Sequence, residues 1–202
     1  MKVCGITRSD DAVAAVEAGA DAIGLNFVSA SVRHVDVAAA QAILDVVPDQ
    51  VMRVGVFRGH PADEILEITS ALGLDAAQLH GDEPPEFTSR VASGVATLIK
   101  AVSATSPSVH TLDEHAADIV MLDAAEPGGG VPFDWSLVGD LVERHRILLA
   151  GGLRPDNVAE AIRQVRPWGV DVASGVESTP GTKGRVAMAD FITGARGGPD
   201  AV

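Results

Sequence analysis

The chain has 202 residues, 47% of them hydrophobic, and a formal net charge of −13 at pH 7. Apolar residues recur evenly and suffice for one sizeable core, which excludes disorder of the whole chain and predicts a single domain over residues 1–202. The acidic charge excludes nucleic acid as a partner, because that binding depends on Lys and Arg neutralising phosphates.

The amino-terminal residues predict a protein without a targeting segment. A strand-like run starts at Lys2, which leaves no room for the charged and apolar regions of a signal peptide. No apolar run approaches the ~20 residues of a membrane span. Cys4 is the only cysteine, which excludes intramolecular disulfides and CxxC sites. We therefore expect a soluble, cytoplasmic protein with no membrane partner.

Short aliphatic runs then alternate with longer segments of helical period. The alternation is typical of parallel strands joined by crossover helices, and it predicts eight of each. The predicted strands are Lys2–Gly5, Asp21–Phe27, Met52–Phe57, Ala76–His80, Thr97–Val102, Asp118–Asp123, Arg146–Ala150 and Gly169–Ala173. The clearest helix follows Pro155, where apolar residues recur every three or four positions. From Gly194 the periodicity stops, so we expect residues 194–202 to be a frayed tail.

The positions of the glycine-rich turns indicate how the sheet closes. An open doubly wound sheet would place such a turn after its first strand, but here that turn reads CGITRSDD. The glycine-rich turns follow the sixth, seventh and eighth predicted strands, as PGGGVP, AGGLRPDN and ASGVESTPG. Phosphate sites of barrels commonly lie after strands seven and eight. The sequence therefore predicts an α/β protein with a single (β/α)₈ TIM barrel.

Two candidates for acid–base chemistry lie where predicted strands end. Cys4 ends the first strand and Asp123 the sixth, at the pole where barrel active sites are built. A thiol could act as a base if positive potential favoured its thiolate, and a protonated carboxyl could act as an acid. The alternatives are a small buried hydrophobe for Cys4 and a loop-bonding carboxylate for Asp123.

Two further candidates lie in the loops after strands two and four. Arg33, in VSASVRHV, could bind a substrate carboxylate with its planar fork, or be a solvated surface residue. His80, in QLHGDE, could orient substrate or complete a buried polar shell.

The turns after strands seven and eight are the candidate phosphate site. Gly151 and Gly152 have no side chains, so their backbone N–H groups can approach an anion closely. Ser174 and Gly175 offer the same arrangement on the next strand. Two such turns on consecutive strands are more specific than one.

Eight segments together resemble the phosphoribosylanthranilate isomerase family of tryptophan biosynthesis. They are KVCGIT, GADAIGLNF, RVGVF, AAQLHGDE, IKAV, FDWSL, LAGGLRPDNV and DVASGVE, which begin at Lys2, Gly19, Arg53, Ala76, Ile99, Phe133, Leu149 and Asp171. They follow the family's order and span nearly the whole chain. The resemblance implies the same closed barrel.

The resemblance also implies roles for individual residues. It makes Cys4 the general base, Asp123 the general acid and Arg33 the ligand of the substrate carboxylate. Asp171 matches a further substrate-site aspartate, whose role is either to contact substrate or to support the site. The phosphate would bind the turns of strands seven and eight described above.

The implied reaction is an Amadori rearrangement. It converts N-(5′-phosphoribosyl)anthranilate into 1-(2-carboxyphenylamino)-1-deoxyribulose 5-phosphate, a phosphorylated small molecule, with no metal or organic cofactor. A monomer and a homodimer both remain open.

One departure and two rival readings accompany this resemblance. The family usually carries a GGSG-like segment and a polar pair before FDW, whereas this chain reads GGGVPFDW, so we expect altered affinity or loop closure with activity intact. A related bifunctional barrel of histidine and tryptophan biosynthesis uses two aspartates, which Cys4 within KVCGIT disfavours. A non-catalytic barrel that binds phosphometabolites would lack the acid and base, and both are present.

Overall fold

The computed structural model describes residues 1–124 and 133–197, and in them eight parallel strands close into a barrel. The strands are Lys2–Cys4 (β1), Ala22–Asn26 (β2), Met52–Phe57 (β3), Ala76–Leu79 (β4), Thr97–Ser103 (β5), Ile119–Asp123 (β6), Ile147–Leu149 (β7) and Gly169–Val172 (β8). Each strand pairs with the next, and β8 pairs with β1. The predicted barrel is confirmed, with each strand end within one residue of its predicted place.

Helices follow the strands on the outside of the barrel. The described residues contain the α-helices Ser9–Ala18 (α1), Val37–Leu44 (α2), Ala62–Ala71 (α3), Pro85–Ala92 (α4), Leu141–Arg144 (α5), Val158–Val165 (α6) and Arg185–Arg196 (α7). They also contain the 3₁₀ helices Pro107–Glu114, Trp135–Val138 and Ser174–Val176, and a hairpin of Glu177–Thr179 (β9) with Thr182–Lys183 (β10). None of these helices is long and apolar enough to cross a bilayer.

The prediction of eight α-helical crossovers is wrong between β5 and β6. The connection there is the 3₁₀ helix Pro107–Glu114, which Ser106 begins by accepting a hydrogen bond from the N–H of Ser108. Leu112 is the only residue of that helix that is buried. A segment without an apolar stripe gains little from packing as an α-helix, because tertiary packing supplies most helical stability.

Residues 194–196, which we expected to belong to a frayed tail, form the end of helix α7 instead. Helix α7 runs through Gly194 to Arg196, because Phe191 and Ile192 are buried and α7 packs against α1 and α6. The guanidinium of Arg196 also donates a hydrogen bond to the carbonyl of Gly19 at 2.8 Å. Residues 198–202 lie outside the described part of the chain.

Alternation along each strand divides its side chains between two compartments. Val3 of β1 is buried toward the helices, whereas Lys2 and Cys4 on either side of it face the barrel axis. The larger apolar cluster lies between strands and helices, and a smaller one fills the barrel interior. Residues that end their strands facing the axis therefore meet at one mouth.

Candidate active site

Three cavities at the carboxyl ends of the strands share Asp123. One of about 350 Å³ is lined by Cys4, Arg33, His80, Asp123 and Asp171, among others. A second of about 290 Å³ extends from His80 over the ends of β4 and β5. The third, of about 40 Å³, lies between Asp123, Asp171 and the turns after β7 and β8. The five residues predicted for acid–base chemistry and substrate binding therefore lie around one cavity.

Cys4 is the last residue of β1, and Lys2 lies beneath it on the same face of the strand. An added Cβ at Gly24 would lie 2.7 Å from Cys4 Sγ and 3.2 Å from Lys2 Cε, so a glycine there leaves room for both side chains. Burial raises the pKa of the Cys4 thiol, and the ammonium of Lys2 opposes that rise. The positive charge of Lys2 can thus stabilise the negative charge of the Cys4 thiolate.

Lys2 forms a buried ion pair with Asp171 of β8, which stabilises its positive charge. Lys2 Nζ donates to Asp171 Oδ1 at 2.8 Å, and both side chains are almost fully buried. Burial lowers the pKa of Lys2, but the charges of Asp171 and then Cys4 raise it by more, so the net pKa is raised. Asp171 therefore keeps an ammonium charged beneath the cavity.

Asp123 ends β6 with its carboxylate in contact with His80. Asp123 Oδ1 accepts a hydrogen bond from the N–H of Ala124 at 2.7 Å, and Oδ2 lies 3.3 Å from His80 Nε2. The amide nitrogen of Gln78 lies 3.1 Å from the other ring nitrogen, Nδ1. A proton can pass between the ring and the carboxylate at these distances.

Arg33 reaches from the loop after β2 to the hairpin after β8. Its Nε and Nη2 donate to Glu177 Oε1 and Oε2 at 2.7 and 2.8 Å, and Lys183 Nζ donates to Oε1 at 2.9 Å. The arginine stem crosses Gly5, where an added Cβ would lie 2.4 Å from Arg33 Cδ and where φ is +72°. Arg33 is thus a fixed residue of the cavity wall, not a solvated surface residue.

The predicted phosphate turns surround the smallest cavity. Gly151, Gly152, Ser174 and Gly175 all line it. Gly151 and Gly152 have φ values of +77° and +67°, which L-amino acids with side chains rarely adopt. An added Cβ at Gly175 would lie 1.9 Å from the carbonyl oxygen of Leu153, so only glycine lets the two turns approach this closely.

Two further expectations concern the loop GGGVP and the binding of metal ions. The loop GGGVP falls on residues 128–132, which lie outside the described part of the chain. Among the residues that the structure describes, no group of three or more His, Cys, Asp and Glu side chains could hold a metal ion.

Four residues around the site were not assigned from the sequence. Lys2 had a usable signal, because residues two apart on a strand share a face. Gln78 likewise lies two residues before His80 on the same face. Glu177 and Lys183 had none, since the first meets Arg33 across 144 positions and both depend on how the hairpin after β8 folds.

Fold and site together define a (β/α)₈-barrel enzyme whose mouth carries a thiol, a carboxylate and two glycine-rich turns. Residues 1–193 match the family model described as N-(5′-phosphoribosyl)anthranilate (PRA) isomerase. The chain therefore belongs to the phosphoribosylanthranilate isomerase family and is an isomerase.

Relatives of known name or structure align with this chain over nearly their whole lengths. An N-(5′-phosphoribosyl)anthranilate isomerase from Myxococcus xanthus is 48% identical, over 97% of this chain and 95% of its own. A phosphoribosylanthranilate isomerase solved with reduced 1-(o-carboxyphenylamino)-1-deoxyribulose 5-phosphate is 40% identical, with a TM-score of 0.88 and 97% coverage of each chain. A monomer form of the dimeric enzyme from Thermotoga maritima is 38% identical, also with a TM-score of 0.88 and 97% coverage of each chain.

Proposed function

We propose that this protein converts N-(5′-phosphoribosyl)anthranilate into 1-(2-carboxyphenylamino)-1-deoxyribulose 5-phosphate in tryptophan biosynthesis. The observation that carries the proposal is that Cys4 and Asp123, which end non-neighbouring strands, line one cavity of about 350 Å³. A base and an acid can then reach one bound sugar from two sides. The relative that binds a reduced form of the same product supports this choice of substrate.

The arrangement of the mouth gives the substrate one orientation. Its phosphate would bind the turns at Gly151 and Gly175, which line the small cavity beside Asp123. Its anthranilate carboxylate would lie at Arg33, across the larger cavity. The ribose then lies between these two anchors, next to Cys4 and Asp123.

The first step opens the furanose ring. Asp123 donates a proton to the ring oxygen as the C1′–O bond breaks, and the anthranilate nitrogen supplies its lone pair to form a C1′=N iminium. His80 can return a proton to the Asp123 carboxylate afterwards, since Nε2 lies 3.3 Å from Oδ2. The iminium makes the C2′ proton acidic.

The second step moves that proton. The Cys4 thiolate removes the C2′ proton, and the electron pair of the C–H bond forms C1′=C2′ while the iminium nitrogen becomes neutral. Protonation of the resulting enolamine at C1′ and loss of the hydroxyl proton at C2′ give the ketone. The ammonium of Lys2 stabilises the thiolate that starts this step.

The thiol also bears on where the protein works. A thiol acts as a base only while it is reduced, so we propose that the protein acts in the cytoplasm, where thiols stay reduced. The oligomeric state stays open between monomer and homodimer, and light scattering on the purified protein would decide it.

A continuous assay tests the proposed reaction. Loss of the fluorescent aminoaldose is followed at constant enzyme, and we expect saturable turnover without added metal or cofactor. Absence of turnover would refute the proposal, while turnover of the aminoimidazole carboxamide substrate of the histidine pathway at a comparable rate would favour the bifunctional barrel instead.

A further inference from the structure

Arg33 is bound on one edge of its guanidinium by a protein carboxylate. Nε and Nη2 form one fork, which Glu177 occupies with both oxygens at 2.7 and 2.8 Å. Nη1 and the second proton of Nη2 form another fork on the adjacent edge. Within the described residues this second fork has no hydrogen-bond partner, and Arg33 lines the cavity that Cys4 and Asp123 share.

Glu177 is itself held in place by a second cation, Lys183. Lys183 Nζ donates to Glu177 Oε1 at 2.9 Å and to the carbonyl of Ala173 at 2.9 Å. The backbone N–H of Lys183 donates to Asp11 Oδ2 at 3.0 Å, which ties the hairpin to α1. The Glu177 side chain is only 6% exposed, so it is a fixed residue of the wall.

The charges of the cluster favour an incoming anion. Two cations, Arg33 and Lys183, share the single carboxylate of Glu177, so Glu177 cannot neutralise both of them. Burial raises the pKa of the Glu177 carboxyl, but the hydrogen bond from Arg33 and the charge of Lys183 lower it by more. Glu177 therefore stays ionised at neutral pH, and the remaining positive charge faces the cavity through Arg33.

We propose that Glu177 is a positioning residue for the substrate carboxylate, because it holds Arg33 by one guanidinium edge and thereby presents the other edge to the cavity. The inference rests on the proposed function and assigns to Glu177 the specificity for an aryl amine that carries a carboxylate. Glu177 does not touch the reacting atoms. Because Glu177 already fixes the Arg33 side chain, that long, flexible side chain does not have to be ordered when the substrate binds.

A pair of ligands separates this role from a structural one. The probes are reduced 1-(o-carboxyphenylamino)-1-deoxyribulose 5-phosphate and its counterpart with an unsubstituted phenyl ring, and calorimetry measures Kd for each. In Glu177→Gln we expect Kd for the first probe to rise about 2- to 12-fold, the usual cost of ordering one such side chain. Kd for the second probe should stay unchanged, because nothing binds Arg33 there.

Turnover provides a second readout with the same logic. Glu177→Gln should raise KM for the aminoaldose and leave kcat as it is, since Cys4 and Asp123 are untouched. Arg33→Met should abolish discrimination between the two probes, and adding Glu177→Gln to Arg33→Met should cause no further loss. Independent, multiplying losses in the double variant would overturn the proposal.

Glu177→Gln leaves the Lys183 ammonium without its carboxylate partner, so a second variant is needed to separate a folding defect from a loss of positioning. Lys183 Nζ is fully buried, and an unpaired buried ammonium destabilises a protein. Glu177→Gln combined with Lys183→Met removes both charges, and it should show the same selective loss for the carboxylate probe. Glu17→Gln, which breaks an exposed pair with Arg185, is the matched control and should leave both Kd values unchanged.

The outcomes distinguish the two proposals. Equal weakening of both probes in every Glu177 variant, or a fall in kcat at constant KM, would overturn the positioning role. If the unmodified protein binds neither probe and does not turn over the aminoaldose, the proposed function fails, and the role of Glu177 fails with it.

Discussion

The two ends of the barrel interior differ in chemistry although the same strands build both. At the amino end most axis-facing residues are apolar, as with Ala22, Ile119 and Leu148, and the charged Lys2 lies in the same layer as Ala22. At the carboxyl end the same strands present polar residues such as Gln78 and Asp123. One end is lined mainly by apolar side chains, and the other is a polar, charged mouth.

The difference shows where stability and chemistry reside in this fold. Burying apolar side chains contributes roughly 25 cal/mol per Å² and requires no partner. Buried polar groups need hydrogen bonds or counter-charges, and at the mouth these come from pairs such as Arg33 with Glu177. We therefore expect substitutions at the mouth to change turnover and substitutions at the amino end to change stability.

The largest effect on turnover is expected at Asp123. Asp123→Asn keeps the shape but cannot donate the proton that opens the ring, so kcat/KM should fall about 10²- to 10⁴-fold. Asp118→Asn is the matched control, because Asp118 directly precedes the amino end of β6 and accepts a hydrogen bond from the N–H of Leu98. Equal loss of turnover in both variants, with an intact fold by circular dichroism in each, would contradict the difference in chemistry between the two ends of the barrel.

The next effect is expected at the phosphate turns. In Gly175→Ala the new methyl group would meet the carbonyl oxygen of Leu153 at 1.9 Å, so the two turns must separate. Displacement of a binding group by about 1 Å can cost on the order of 10²-fold, and we expect kcat/KM to fall by that order. Gly169→Ala, at the amino end of β8, should leave steady-state kinetics unchanged. Normal phosphate binding by Gly175→Ala would show that these turns do not hold the phosphate.

A smaller effect, on pH dependence, is expected from Lys2→Met. The ammonium of Lys2 lowers the pKa of the Cys4 thiol, so its removal should raise that pKa further. The thiolate is the active form, and the ascending limb of kcat/KM against pH should therefore move to higher pH. At a fixed pH below the limb, turnover should fall about tenfold for each unit of that movement. An unmoved limb would mean that Lys2 does not tune the base.

The smallest effect on turnover is expected at the amino end. Ile119→Ala removes buried methylene and methyl groups from the inner core, so the free energy of unfolding should fall by about 2–5 kcal/mol. Urea denaturation would measure that loss, and kcat at a temperature where the variant is folded should be unchanged. A fall in kcat without a loss of stability would contradict the division between the two ends.

Much of the difference between the two ends of the barrel could be predicted from the sequence, because the carboxyl ends of all strands in a parallel barrel lie at one pole. Cys4 and Asp123 could be placed at that pole by counting strands. The pair of Arg33 and Glu177 could not, since it depends on the path of two loops and on the hairpin after β8. The crossover at Pro107–Glu114 was mispredicted because its polar sequence leaves the choice between helix types to local capping.

The central claim is that the Cys4 thiolate removes the C2′ proton, and an isotope experiment on Cys4→Ser tests it most directly. Turnover of aminoaldose carrying deuterium at C2′ is compared with that of the unlabelled compound in both proteins. We expect Cys4→Ser to be about 10²- to 10⁴-fold slower and to show a larger deuterium isotope effect, because proton removal becomes the slow step. A Cys4→Ser protein that turns over at the unmodified rate, or that is slow without any isotope effect, would contradict the account.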